Sequence, residues 1–265
     1  MRRFTPEYLN RTRRGMWASR DALADLELDS RTRILDVGCG TGQLTRVLAE
    51  EAPGATVVGA DADLGLLDVA RRETDLDYCA ADALRLPFPD DAFDLVVCQA
   101  LLINLPQPAV AVREFARVSA DLVAAVEPDN ADVGVASTVD AEADLESRVR
   151  SAYIEGVGTN VALGKRVRQL FGEAGLSDLR TRRYHHEKRV EPPYSAADLE
   201  SARRKASGTG IADHESELRS ALPEGAYADL RRDWRSMGRD VIEQMGADEY
   251  ERAEVVPFDV TVGRV

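Results

Sequence analysis

Lysine is almost missing from this chain. Only Lys165, Lys188 and Lys205 occur among 34 basic residues, and 47 Asp and Glu leave a formal net charge of −13. Such a balance argues against a protein that coats nucleic acid, whose phosphates call for clustered basic side chains. Cysteine is also scarce: Cys39, Cys79 and Cys98 are too few and too scattered for a disulfide framework or a zinc site. A reducing, cytoplasmic compartment is therefore expected. Long apolar runs are absent, with no window near the ~18 residues of a membrane span. The start, Met1-Arg2-Arg3-Phe4-Thr5, has no apolar signal core behind its basic residues. No internal repeat or low-complexity tract appears. With 44% hydrophobic and 31% charged residues over 265 positions, the chain is too apolar for a disordered acidic tail. It is long enough for one large domain, or a domain with a cap. Arginine in place of lysine has two ordinary readings, a GC-rich genome or a salt-rich cytoplasm that favours surplus surface carboxylates. The second is adopted, and the acidity is read as habitat rather than as a clue to substrate.

From Arg33 to Val126 short apolar runs alternate with helical patterns. Ile34–Val37, Thr56–Ala60, Leu76–Cys79, Phe93–Cys98 and Leu122–Val126 read as buried strands, with amphipathic stretches at Gly42–Glu51, Gly65–Glu73 and Gln107–Val118 between them. That rhythm predicts a mainly parallel sheet with helices on both faces, whose ligands sit outside the carboxyl ends of the strands. After Val126 the pattern changes. Ala141–Tyr153 and Gly164–Ala174 look helical, and Gly175 is placed to cap the second. Leu179–Glu187 and Val255–Val265 are strand-like, with a charged helical block between them. Ser195 and Asp198 form a capping-box pattern near its start. Tyr227, Leu230, Trp234, Met237, Val241 and Met245 recur at helical spacing near its end, as core, pocket wall or homodimer face.

The strongest chemical signal is Asp36-Val37-Gly38-Cys39-Gly40-Thr41-Gly42 at the end of the first predicted strand. Glycines there let the backbone turn tightly and approach a ligand, and the following helix offers unpaired N–H groups. A dinucleotide fingerprint would need its third glycine at position 43, which is Gln43. A carboxylate at position 36 would also repel a pyrophosphate. It suits a ligand carrying an ammonium and a sulfonium.

On these residues the chain resembles the class I S-adenosylmethionine-dependent methyltransferases, particularly the broad small-molecule branch. The resemblance covers residues 30 to 126 closely and the rest in outline. It implies a seven-stranded, doubly wound, Rossmann-like α/β sheet with its last strand antiparallel and a helical insertion. It implies S-adenosyl-L-methionine as cofactor, with Asp36, Gly38, Cys39, Gly40 and Gly42 around the methionine end. Asp61, followed by Ala62, matches the acidic residue that takes the ribose hydroxyls. Asp82 and Ala83 match the adenine loop, the carboxylate accepting from the N6 amine and the Ala83 N–H donating to a ring nitrogen. Cys98 and Gln99 would lie beside the methionine portion, and Arg14 near its carboxylate.

The chain also departs from the family. Where many relatives carry a His pair after the fourth strand, it has Ile103-Asn104-Leu105-Pro106. No Asn/Asp-Pro-Pro-Tyr signature follows that strand and no Pro-Cys dipeptide occurs, which argues against nucleobase N-methylation and a covalent cysteine mechanism. Glu127, after the fifth predicted strand, is the one candidate catalytic residue, either orienting an acceptor or taking its proton, or else structural. No metal is expected. His185 and His186 are adjacent and face opposite ways in a strand; these and His214 are read as structural. The expected domains are an N-terminal lid at 1–30, a core at 31–188 plus 254–265, and a helical cap at 189–253. The expected activity is methyl transfer to a small-molecule acceptor, without membrane involvement. The alternatives are an RNA or protein methyltransferase, favoured if Arg180, Arg182, Arg183, Lys188 and Arg189 join the N-terminal arginines in one basic patch, and a non-catalytic cofactor-binding regulator.

Overall fold

The computed structural model describes residues 5–13, 15–164 and 166–265. These fold as two compact units: residues 5–129, 163–184 and 258–265 form the first, and 130–162 with 185–257 the second. Two long strands, Ser177–Val190 (β7) and Arg252–Arg264 (β8), contribute residues to both.

The first unit is built on Arg33–Val37 (β1), Thr56–Asp61 (β2), Asp77–Ala80 (β3), Phe93–Gln99 (β4) and Ser119–Pro128 (β5). Their order is β3-β2-β1-β4-β5-β8, and β7 pairs with β8. β1 to β5 are parallel, and β8 runs antiparallel to β5 from Pro128↔Phe258 to Leu122↔Arg264. The expected mainly parallel sheet with an antiparallel last strand is thus present, but the sheet has eight strands rather than the seven expected. Alternation along the strands divides the core into two faces. Leu35, Val37, Val96, Val123 and Ala125 pack with Ala111, Val112 and Phe115 of Pro108–Val118 (α4). Ile34, Leu95, Val97, Leu122 and Ala124 pack with Leu44, Val47 and Leu48 of Gln43–Glu51 (α2). Burial on both faces explains why these strands read as continuous apolar runs. Strand order reverses between β1 and β4, so the crevice for a ligand opens at their carboxyl ends. The opposite end is closed by ions: Glu27 and Asp121 each hold both Arg31 and Arg264.

The remaining elements of this unit are Pro6–Arg13 (α1), Leu64–Glu73 (α3) and Arg166–Glu173 (α6). Asp63 caps α3, accepting from the N–H groups of Gly65 (2.9 Å) and Leu66 (3.3 Å).

The second unit contains Gly134–Ser137 (β6), which pairs with β8, and five helices: Asp140–Gly156 (α5), Ala196–Ser207 (α7), Thr209–Ala212 (α8), Glu215–Ala221 (α9) and Ala226–Gly246 (α10). The α10 stripe of Tyr227, Leu230, Trp234, Met237, Val241 and Met245 is buried as the core of this unit. Leu145 and Ala152 of α5 lie in the same core, so the cap is not the single insertion 189–253. It also draws in 130–162, a segment whose apolar face needs the same stripe. Gly238 lets α10 cross α7 closely, since a Cβ there would stand 2.3 Å from the Ala206 nitrogen. The Ser195–Asp198 capping box is formed, with each side chain bonded to the other's backbone N–H. Beside this core Glu142 is fully buried, accepts from the Tyr250 hydroxyl and pairs with Lys205. Burial pushes the Glu146 pKa up, but Lys205 and Arg252 pull it down to about 2.

Candidate functional site

At the carboxyl end of β1 the chain turns through Gly38, Gly40 and Gly42, with φ of 73°, 59° and 78°. Side chains would be strained at all three. At Gly42 space is also decisive: a Cβ would lie 2.3 Å from the Tyr78 hydroxyl, which reaches over from β3. Leu101 covers Gly38, and Leu9 and the Arg13 guanidinium of α1 cover Gly40.

Asp36 lies beneath this turn, buried. One oxygen accepts from the Thr45 hydroxyl at 2.7 Å, and the other, Oδ1, has no partner. Burial raises its pKa from 3.8 to about 6, against the opposing pull of Thr45 and Arg13. Asp61, at the end of β2, accepts from Gly40 N–H and Asp63 N–H, each at 2.8 Å, and so ties the glycine turn to β2. Ala62 beside it is exposed. Ala81 N–H donates to the Asp61 carbonyl at 3.0 Å, which brings the next loop alongside. In that loop Asp82 is exposed, with Oδ1 receiving the Leu84 N–H at 2.9 Å, and Ala83 is buried.

β4 ends at Gln99, whose amide Nε2 donates to the Met16 sulfur at 2.8 Å while Oε1 has no partner. Ala100 then takes a left-handed conformation with φ of 49°, which costs about 1 kcal/mol for a residue with a Cβ. Glu127 from β5 holds the strained turn. Its Oε1 accepts from Leu101 N–H (3.0 Å) and Leu102 N–H (2.8 Å), and its Oε2 from Ile103 N–H (3.3 Å). With no exposed surface and both oxygens occupied, Glu127 braces the loop at 101–103 and is not placed to take an acceptor's proton. Burial lifts its pKa from 4.5 to about 7 despite those three donors. Cys98 is buried against Glu127, and burial with that neighbouring charge pushes its thiol well above the usual range, so it is no nucleophile at neutral pH. Burial and the charges of Asp36 and Asp61 likewise push up the thiol of Cys39.

Four buried polar atoms around this turn make no hydrogen bond: Asp36 Oδ1, Thr41 Oγ1, Gln99 Oε1 and Trp17 Nε1. Buried orphans are rare, and a group of them marks a place shaped for a polar ligand. Two of the four are acceptors only, and beside them Asp36 supplies negative charge when ionised, so a ligand with an ammonium and a sulfonium fits. The sheet ends therefore bring together Asp36, the glycine turn with Cys39, Asp61, and Gln99. Arg14, expected near the ligand's carboxylate, lies outside the described residues. The neighbouring Arg13 reaches the turn instead. Burial lowers its pKa, and the charges of Asp36 and Asp61 act against that fall. Arg13 and Trp17 entered only as part of the expected lid at 1–30, and Thr41 and Tyr78 were not singled out from the sequence as ligand-facing. Thr41 lies inside the glycine motif and could have been, whereas Tyr78 comes from a strand two positions away in the sheet and carries no local signal.

Other polar and charged side chains beyond β5, including the predicted basic cluster, are engaged elsewhere. Asp129 accepts from Arg183 at 2.7 Å, and Asn130 donates to the Val161 carbonyl at 2.7 Å. Arg180 pairs with Glu27, Arg182 with Asp25, Arg183 with Asp129 and Asp259, Lys188 with Glu254, and Arg189 with Glu187. The predicted basic cluster is therefore neutralised residue by residue. His185 is exposed, His186 half-buried, and His214 packs on Tyr153 with ring centres 4.9 Å apart.

Comparison with known proteins agrees with this geometry. Residues 35–121 match the family model described as a methyltransferase domain. A demethylmenaquinone methyltransferase of Thermus thermophilus is 44% identical over 102 residues, 36% of this chain and 46% of that protein. Methyltransferase GfsG of Streptomyces halstedii is 37% identical over 100 residues, 35% of this chain and 36% of that one. The matched regions thus span between about a third and a half of these relatives' length. Among solved structures, a Bacillus halodurans protein described only as a candidate methyltransferase superposes with a TM-score of 0.53 at 17% identity, covering 93% of this chain and 99% of its own. The YcgJ protein of Bacillus subtilis gives 0.51 at 15%, covering 92% and 98%. At such identities the structures speak for the fold alone.

Proposed function

We propose that this chain, whose residues 35–121 match a methyltransferase-domain family model, is a class I S-adenosylmethionine-dependent methyltransferase that methylates a small-molecule acceptor. The observation that carries the reading is the set of unpaired buried atoms, Asp36 Oδ1, Gln99 Oε1, Thr41 Oγ1 and Trp17 Nε1, around a glycine turn at the sheet's switch point. The cofactor supplies an electrophilic methyl group on a sulfonium, so the protein needs no strong catalytic base. What the chain must do is hold, orient and exclude water.

Asp36 and Gln99 accept from the ammonium end. Asp61, whose oxygens already receive Gly40 and Asp63 N–H groups, turns its remaining lone pairs to the ribose hydroxyls. Asp82 and Ala83 flank the adenine. Arg13 faces the carboxylate. Glu127 acts through the loop: by gripping the N–H groups of residues 101–103 it positions Leu101 over Gly38 and fixes the wall past which an acceptor approaches. Among the described residues no helix is long and apolar enough to cross a membrane, and no cluster of His, Cys, Asp and Glu gathers to hold a metal. The acceptor in the name of the Thermus thermophilus relative, demethylmenaquinone, is a small molecule, which supports the acceptor class. The RNA or protein alternative loses its support where the predicted arginine cluster is paired with carboxylates.

Calorimetric titration with S-adenosylmethionine and its demethylated product tests the cofactor assignment. Both should bind, and Asp61→Ala should weaken them by at least about tenfold, the loss of charged hydrogen bonds. No binding would end the reading. Methyl-label transfer into a cell extract, separated into small-molecule, RNA and protein fractions, tests the acceptor. Label confined to macromolecules would overturn the small-molecule class while leaving the cofactor assignment standing.

A further inference from the structure

A pocket lies in the second unit, on the exposed side of α10. It has a volume of about 340 Å³ and is lined by Arg219, Tyr227, Ala228, Arg231, Arg232, Arg235 and Arg239. Five arginines around one cavity are unexpected in a segment, Lys188 to Glu254, that holds 11 basic and 15 acidic residues. Two of the five are compensated. Arg219 pairs with Glu215 at 2.5 Å and lies 4.4 Å above the Tyr227 ring. Arg232 pairs with Asp229 at 2.7 Å and reaches Asp233 at 3.5 Å. Arg231, Arg235 and Arg239 form no ion pair with a described residue.

Those three recur every fourth residue on one helix, so their backbones rise by about 6 Å from one to the next on a common face. Their stems are not loose. Gly208, in a left-handed conformation at the end of α7, faces Arg235, where a Cβ would lie 2.9 Å from Cγ and 3.1 Å from Cδ, and 3.4 Å from Arg231 Nε. The missing side chain at Gly208 is thus what lets two arginine stems lie down and present their guanidinium forks together. A row of forks with packed stems and no ion-paired carboxylate, Glu215 acting on Arg231 only through its charge, suits planar, bidentate recognition of phosphate oxygens.

We propose that this pocket binds a compact, multiply charged phosphate anion of the organic diphosphate class. The volume is that of a small-molecule site rather than a track for a polymer. The surrounding chain is net acidic, which repels a long polyanion beyond the pocket but leaves a short one inside the arginine cluster. This proposal stands on the α10 face alone and does not depend on the methyl-transfer reading.

The test is calorimetric titration of the full-length protein with inorganic pyrophosphate at low and moderate salt, beside a single-stranded oligonucleotide and phosphatidylserine vesicles. Pyrophosphate is expected to bind, more weakly as salt rises. Arg231→Gln, Arg235→Gln and Arg239→Gln should each weaken it by about threefold to fivefold, and the triple variant should abolish it. Arg235→Lys keeps the charge but loses the fork, and should weaken pyrophosphate while leaving its salt dependence in place. Arg203→Gln, an exposed arginine of the same unit paired with Glu200, should change nothing. Circular dichroism checks that the variants are folded, and the single variants suffice if the triple one is not. Absence of pyrophosphate binding, or binding unchanged in all three single variants, overturns the proposal. Oligonucleotide or vesicle binding that depends on these arginines and exceeds pyrophosphate binding overturns it in favour of a polymer or a membrane surface.

Discussion

Glu127 converts the geometry of the loop after β4 into a measurable pH dependence. Its carboxyl is fully buried, and its pKa rises from 4.5 to about 7, burial outweighing three backbone donors. At roughly 1.4 kcal/mol per pKa unit, ionising it costs about 3 kcal/mol more in the folded protein than in the unfolded chain. The direction follows from linkage. Below 4.5 the group is protonated in both states and the cost is absent. It grows as pH rises towards about 7, because only the unfolded chain then gives up its proton freely, and it is constant above that. Glu127→Gln removes this slope. The amide keeps an acceptor for Leu101 and Leu102 but turns N–H groups towards Ile103 N–H, a loss of about 1–3 kcal/mol. The variant should therefore be clearly less stable than the parent at about pH 5, and should draw nearly level at about pH 8. Urea unfolding across that range measures it, with Trp234→Phe in both proteins so that Trp17 reports the first unit alone. A stability difference that does not change with pH would refute the buried-charge reasoning.

Three further outcomes are expected. Asp36 has a pKa near 6 in the free protein, and a bound cation lowers it, so cofactor affinity should fall about tenfold per pH unit below 6 and level off above it. Titration calorimetry in buffers of different ionisation enthalpy would show the released proton, and Asp36→Asn should remove the pH dependence. Gly42→Ala should unfold at a lower temperature and lose cofactor binding, because its Cβ meets Tyr78 at a φ of 78°; Gly54→Ala, in open space, should not. Phe115→Ala should cost about 3–5 kcal/mol, since Phe115 is buried completely between α4 and the sheet, and denaturant midpoints measure it.

What could be read along the chain was whatever rests on neighbouring residues. β1, β2 and β4 are runs such as Arg33–Val37 whose burial on both faces makes them mostly apolar, so they stand out without partners. Asp63, Ser195 and Asp198 act within one helical turn, and the capping box could be seen for that reason. The glycine turn is legible too, because Gly38, Gly40 and Gly42 serve a local backbone path. β6 was not found: Gly134–Ser137 is four residues long and holds only through its pairing with Val255–Arg252.

The tertiary structure decided the roles of charges, since a charge takes its meaning from what stands across space. Glu127 looks like a candidate base in sequence and becomes a brace because three N–H groups from residues 101–103 converge on it. The basic run from Arg180 to Arg189 dissolves into ion pairs with residues as distant as Glu27 and Asp259. Arg231, Arg235 and Arg239 sit among carboxylates in sequence, yet helical periodicity and Gly208 gather them on one face, where they form no ion pair with a described residue. Sequence alone determined that lysine is scarce and carboxylate abundant, and which segments turn, cap and bury. Which basic side chains are held in ion pairs was settled by folding, because pairing falls off with distance in space and not with separation along the chain.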